Sequence, residues 1–285
     1  MMSRIEEIYK ELYKTSDYNF NQFKKAIQCR DTANIPKVKN AGEVITYNDS
    51  SCQVTNNGSL IHEGCYHQKW VTDIIKELKG HHEPQEEKLF YEALTYVPDG
   101  GTMLECGSFW SYYSLWFHKK IMNAHNIMVE PIPLKLEIGQ LNFKLNDFTG
   151  EFLNGYIGAS YNPSSTFVDW DASSYNIPEF SIDWIMETYG VDSLDILHAD
   201  IQNNEIPLLL GAEKSLQAHK IKFIFLGTHM PNFPIISKLQ SYGYYILEQF
   251  EVNQSYFDDG LIVACPAPIK DSIDKNKFKV SKYEG

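Results

Sequence analysis

The residues with the clearest chemical potential stand at the ends of three apolar runs. Leu104-Glu105-Cys106-Gly107-Ser108 closes the first and Ile127-Met128-Val129-Glu130-Pro131 the second. Leu194 to Asp200 forms the third, followed by Ile201-Gln202-Asn203-Asn204-Glu205. A small-residue turn such as Gly107-Ser108 lets backbone approach a ligand closely, and the helix start beyond it offers free N–H donors. Glu105, Gly107 and Ser108, with Tyr112 and Ser114 just downstream, are therefore candidates for binding a cofactor. Only one glycine is present, so the turn falls short of the full G-x-G-x-x-G dinucleotide pattern. Glu130 lies 25 positions after Glu105, where an acid accepts hydrogen bonds from the ribose of a nucleoside cofactor. Asp200 ends an apolar strand at mid-sheet, where a carboxylate can position a hydroxyl, take its proton or hold a divalent ion. Plainer roles compete at each place: an ordinary strand–helix turn, a carboxylate at a helix start, and an N-cap ahead of Pro207.

One further block is rich in ligating side chains: Gly80-His81-His82-Glu83-Pro84-Gln85-Glu86-Glu87. Spaced i, i+4, His82 and Glu86 would share a helix face, which makes His81, His82, Glu83 and Glu86 candidates for a substrate or metal site. The competing reading is a helix opened by Pro84 with acids in its first turn. The block is not an H-E-x-x-H zinc motif.

The elements that must hold these residues alternate. Ile5, Ile8, Tyr9, Leu12 and Tyr13 recur at helical spacing, followed by short strands at Val44–Tyr47, Cys52–Thr55 and Leu60-Ile61. Asn56-Asn57-Gly58 supplies a hairpin turn, and Trp70, Ile74, Ile75 and Leu78 mark a helix stopped by Gly80. From Pro84 onward the pattern is helix Pro84–Tyr96, strand Thr102–Cys106, a helix carrying Tyr113 to Phe117, strand Asn126–Glu130 and helix Leu134–Asn146. A strand over Phe152–Ser160, helix Ser181–Tyr189, strand Leu194–Asp200 and a helix opened by Pro207 follow. Strand Lys222–Thr228, helix Ile235–Tyr242 and strands Tyr244–Phe250 and Gly260–Cys265 complete the series. Repeated βα units imply a largely parallel sheet covered on both faces. The last two strands have no helix between them, so they form an antiparallel pair.

Composition narrows the function classes. The 285 residues carry a formal net charge of -12 and a pI near 5.2, which disfavours tight non-specific binding to nucleic acid. No apolar run approaches the length of a membrane span, and the charged opening lacks a secretory signal. The five cysteines are scattered and form no CxxC pair, as expected of free thiols in the cytoplasm. Three segments are expected: an N-terminal α+β extension over 1–83, a catalytic core over 84–268 and a polar, frayed tail over 269–285. The extension is expected to act as a lid over the cofactor mouth or as a homo-oligomer contact.

Taken in order, these blocks resemble the FkbM-type methyltransferase family over roughly residues 84–266. Leu104-Glu105-Cys106-Gly107-Ser108 matches its first motif, Glu130-Pro131 its E-P pair, and Asn142 and Asn146 its Asn-bearing helix. His198-Ala199-Asp200-Ile201-Gln202-Asn203-Asn204-Glu205 resembles its K-x-D-x-[EQ]-G-x-E block. Leu209-Leu210-Gly211-Ala212, Gly227-Thr228-His229, Leu239, Gly243-Tyr244 and Leu261-Ile262-Val263-Ala264 continue the match. Departures are Asn203-Asn204 for the usual Gly-Ala, Ser111 where a second glycine is common, and Met230-Pro231-Asn232 after His229.

The resemblance implies a Rossmann-like class I methyltransferase sheet of seven strands with the last one antiparallel, and S-adenosylmethionine as cofactor. It implies transfer to a hydroxyl, with a small-molecule sugar or glycan precursor as acceptor. Asp200 and His229 become the candidates for positioning the acceptor and for the base, the latter as a neutral imidazole near pH 7. Gln202 and Glu205 stand second, and a divalent cation at Asp200 is compatible with the pattern. Two other classes remain open at this point. An NAD(P)-dependent oxidoreductase would use Glu130 in the same way, although Phe109 and Trp110 crowd the turn a pyrophosphate needs. A catalytically silent nucleoside-binding module would keep the pocket without the chemistry.

Overall fold

A computed structural model describes residues 19–67, 69–169 and 171–284. The helix expected over Ile5–Tyr13 lies outside the described residues. The catalytic half is built on β4 (Thr102–Cys106), β5 (His125–Glu130), β6 (Glu151–Asn154), β10 (Leu194–Ala199), β11 (Ile221–Thr228), β12 (Tyr244–Phe250) and β13 (Gly260–Pro266). They form one seven-stranded sheet in the order β12-β13-β11-β10-β4-β5-β6. β10, β4, β5 and β6 pair in parallel, as do β10 and β11, while β13 is inserted antiparallel between β11 and β12. The expected seven strands and antiparallel end are present.

The sheet is apolar on both faces because alternate residues enter different cores. Along β11, Phe223 and Phe225 face one cluster while Ile224 and Leu226 face the other. The first cluster is covered by α3 (Pro84–Leu94), α4 (Tyr112–Lys120) and α5 (Pro133–Leu145) through Phe90, Phe117 and Ile138. The second is covered by α6 (Ile182–Thr188), α7 (Glu205–Gly211), α8 (Glu213–Gln217) and α9 (Phe233–Ser241) through Ile185, Leu209, Leu216 and Leu239. No helix among the described residues is long and apolar enough to cross a membrane.

Ahead of the sheet stand α1 (Asn19–Ala26), an antiparallel sheet of β1 (Val44–Tyr47), β2 (Ser50–Val54) and β3 (Leu60–His62), and α2 (Lys69–Glu77). The β2–β3 turn closes as expected at Gly58, φ +85°. The free edge of β3 meets α5 rather than another strand. Asn146 Oδ1 accepts from Leu60 N–H at 2.8 Å while its Nδ2 donates to Leu60 O at 2.7 Å, and Asn142 Oδ1 accepts from His62 N–H at 3.0 Å. Asn142 also donates to Trp110 O at 3.0 Å, so one side chain ties the N-terminal sheet to the turn after β4.

Three expectations are corrected. The strand expected over Phe152–Ser160 divides at Gly155, where a Cβ would lie 2.4 Å from the Phe180 ring. Its second part, β7 (Tyr156–Ile157), joins a separate three-stranded sheet with β8 (Asn162–Val168) and β9 (Ser174–Phe180), a hairpin that sequence reading missed. The helix after β10 begins at Glu205, not Pro207, because a proline is tolerated in a first turn whose N–H groups have no intrahelical partner. Finally, the tail is not frayed: Phe278 is fully buried, and Ser281 N–H donates to Asp31 at 3.0 Å.

Candidate active site

At the carboxyl end of β4 the chain turns through Gly107 (φ +74°), Phe109 (φ +39°) and Ser111 (φ +59°). The left-handed geometry at Ser111 is one that glycine adopts without steric cost. A Cβ on Gly107 would lie 1.8 Å from the carbonyl oxygen of Asp200, so β4 and β10 touch backbone to backbone. Gly107 and Ser108 donate to Val129 O at 2.8 and 3.1 Å.

Glu130, almost fully buried, receives Phe109 N–H on Oε2 at 3.1 Å and Ile132 N–H on Oε1 at 3.0 Å. Burial pushes its carboxyl up, partly offset by Lys135 and those two donors. Each oxygen retains acceptor capacity for one further donor. Glu105 Oε2 accepts from Ser114 N–H at 3.0 Å and so caps the start of α4. The hydroxyls of Ser108, Ser111 and Ser114 are buried and have no partner among the described residues. Tyr112 is placed differently. Its hydroxyl lies 3.0 Å from both Gly80 O and Glu87 Oε2, among the histidines rather than at the turn.

The His81–Glu87 block does not form the expected i, i+4 pair. α3 starts at Pro84, which leaves His82 outside the helix and removes the shared face. His82 instead contacts Glu87 Oε1 at 2.8 Å and Glu83 Oε2 at 3.3 Å, and His81 Nδ1 pairs with Glu87 Oε2. Glu87 also accepts from the backbone of His82 and Glu83 at 2.7 and 2.9 Å, so it closes the helix start. Burial opposes charge on His82, but Glu83 and Glu87 outweigh it and raise the imidazole to about 10. Glu86 turns the other way, to His198 Nε2 on β10 at 2.8 Å. Burial, then Glu83 and Asp259, hold the Glu86 carboxyl well above its ordinary value.

A second cluster gathers at the ends of β10 and β11. His229 Nε2 is 3.6 Å from Asp200 Oδ1 and 2.7 Å from Asp259 Oδ1, and His229 Nδ1 is 3.8 Å from Glu205 Oε1. Gln202 Nε2 lies 2.8 Å from His229 Nε2. Three of the four sequence candidates at this end, Asp200, Gln202 and Glu205, therefore converge on the fourth, the His229 imidazole. Gln202 (φ +54°) and Asn203 (φ +73°) are left-handed, a conformation asparagine tolerates well, which fits Asn203 in place of a usual glycine.

Asp259 was missed. Its signal lay in the register: Thr228 pairs with Gly260 across antiparallel strands, so the residue after one meets the residue before the other. Burial and Asp259 hold the Asp200 carboxyl well above the ordinary range. Burial disfavours charge on His229, but Asp259, Glu205 and Asp200 prevail and raise it to about 11. The expectation of a neutral imidazole near pH 7 is thereby corrected: with no ion beside it, these carboxylates favour the charged ring. A recess lined by Glu83, Glu86, Phe250, Phe257 and Asp259 adjoins the cluster. Over the β4 turn, Tyr66 stacks on Trp110 at 4.7 Å and Trp70 on Phe257 at 5.9 Å.

A family model described as the methyltransferase FkbM domain matches residues 95–246, more than half of the chain. No curated protein matches. Among solved structures, the chain is similar to a precorrin-6y C5,15-methyltransferase from Geobacter metallireducens at 12% identity and TM-score 0.42, covering 65% of this chain and 89% of that one. It is also similar to an O-methyltransferase from Bacillus cereus in complex with SAH, at 13% identity and TM-score 0.41 over 64% of this chain and 81% of that one. A putative tRNA (m1A22) methyltransferase from Streptococcus pneumoniae matches at 12% identity and TM-score 0.40, over 61% and 67%.

Proposed function

Since the chain belongs to the FkbM methyltransferase family and is an S-adenosylmethionine-dependent methyltransferase, we propose that it methylates a hydroxyl oxygen of a sugar or glycan precursor. The nicotinamide alternative falls with that membership. The observation that carries the oxygen reading is the convergence of Asp200 and Asp259 on His229 at the strand ends. A hydroxyl presented there meets both a carboxylate acceptor and an imidazolium donor.

The residues around the β4 turn fit the cofactor. Glu130 has acceptor capacity left for ribose hydroxyls, and the three partnerless serine hydroxyls supply further hydrogen bonds in a buried place. Glu105 acts by fixing the start of α4. When bound, S-adenosylmethionine supplies an electrophilic methyl on its sulfonium. Asp200, the more exposed carboxylate of the cluster, takes the proton that the acceptor hydroxyl releases. His229 orients that hydroxyl and is itself held by Asp259 and Glu205. Gln202 borders the same ring.

The stacking of Tyr66 on Trp110 and of Trp70 on Phe257 supports a lid role for the described part of the N-terminal extension, with 84–268 as the catalytic core and a packed tail beyond it. The buried free cysteines suit a reducing cytoplasm. Incubating the protein with labelled S-adenosylmethionine and a panel of sugar nucleotides and free glycosides tests the reading. A methyl ether in the product supports it; methyl transfer to nitrogen or carbon alone overturns it.

A further inference from the structure

Three carboxyl groups crowd one imidazole. Asp200, Glu205 and Asp259 make ion pairs only with His229 among the described residues, and no described lysine or arginine pairs with any of them. The imidazole at the centre is over-subscribed. Its Nε2 faces the acceptors Asp259 Oδ1 at 2.7 Å and Asp200 Oδ1 at 3.6 Å and also the amide nitrogen of Gln202, itself a donor, at 2.8 Å, and one ring nitrogen cannot satisfy all three.

We propose that Asp200, His229 and Asp259 form a binding site for a divalent cation, with Glu205 as the positioning residue behind the imidazole. One atom from each of the three ligands lies within 4.8 Å of the others, the span across which one ion is held. The three come from separate rigid places: the end of β10, the end of β11 and the start of β13. Each is partly exposed, so coordination positions remain open toward the site.

Glu205 is the independent observation. It is fully buried, its Oε2 has no partner among the described residues, and its Oε1, which accepts from Asn203 N–H at 3.1 Å, sits 3.8 Å from His229 Nδ1, on the ring edge opposite the two aspartates. A carboxylate behind a ligating histidine favours the proton on Nδ1, and the ion takes the place of the Nε2 proton, which is released to solvent on binding. Two carboxylates and one imidazole are oxygen-rich with a borderline nitrogen, a set suited to Mn²⁺ or Mg²⁺ rather than to a thiolate-seeking metal. The inference rests on the proposed acceptor site, where the ion takes over from the imidazolium the task of holding the hydroxyl oxygen.

The test is a Mn²⁺ titration of the whole chelator-treated chain without cofactor or acceptor, following free Mn²⁺ by electron paramagnetic resonance. Wild type is expected to remove one Mn²⁺ per chain from solution. Asp259→Asn and Asp200→Asn should abolish that uptake, and Glu205→Gln should weaken it roughly ten-fold, as loss of an outer partner does. Thermal melts of each variant, with two separate aspartates tested, keep a folding defect from passing for a lost ligand. No uptake by wild type up to roughly millimolar Mn²⁺ overturns the site. So does wild-type uptake by both folded aspartate variants. A product methylated on nitrogen would end the oxygen reading while leaving the Mn²⁺ result standing.

Discussion

Gly107 and Asp200 are in backbone contact: a Cβ on the glycine would sit 1.8 Å from the aspartate carbonyl oxygen. The neighbour is main chain in a central strand pair, so it cannot move aside as a side chain would. Gly107→Ala should cost about 3 kcal/mol or more, from overpacking and a left-handed alanine together. A melt within a degree or two of wild type would contradict that contact.

Glu130→Ala should weaken S-adenosylhomocysteine binding by about 1–3 kcal/mol, the cost of leaving buried donors unpaired. Glu130→Gln keeps one acceptor oxygen and should fall between the two. Calorimetry giving equal affinity for wild type and Glu130→Ala would remove Glu130 from the cofactor site.

His229→Ala and Asp200→Asn should each lower turnover by about 10²–10⁴-fold, the range for a positioned proton-transfer group. Both lie beyond the β4 turn, so S-adenosylhomocysteine affinity should stay near wild type. Full turnover in both variants would mean that the cluster is only structural.

Stability should fall in alkali because of His82. Glu83 and Glu87 raise its folded-state value to about 10 against the burial that opposes charge, whereas an unfolded histidine titrates near 6.5. A raised value stabilises fully below the unfolded one, and the contribution is lost as pH climbs toward about 10. Melting temperatures of wild type minus His82→Gln, recorded across that window, should shrink steadily. A difference independent of pH would show that His82 is not charged in the fold.

How much of this could be read from the chain depended on burial. Strands covered on both faces, such as Phe223 to Leu226, appear as unbroken apolar runs, and the missing helix between Phe250 and Gly260 disclosed the antiparallel end. β8 is mostly exposed and spells Asn162-Pro163-Ser164-Ser165-Thr166, so it carries no apolar period to detect. Asp200 and His229 were legible because each follows an apolar strand. Asp259 precedes one, and only the pairing register brings it to the same place. The His82–Glu86 expectation failed for a local reason, since Pro84 fixes where the helix begins.

Asn142 on α5 and Asn146 at its C-cap have a consequence for the behaviour of the protein at high concentration. β3 ends its sheet with Leu60 and His62 N–H groups facing outward, and Asn146 and Asn142 occupy them. An open strand edge is a template on which another chain can pair. The two amides therefore act as a stopper against edge-to-edge aggregation. A chain carrying alanine at both positions would still possess every strand of its fold, but with an unguarded margin inviting its neighbours.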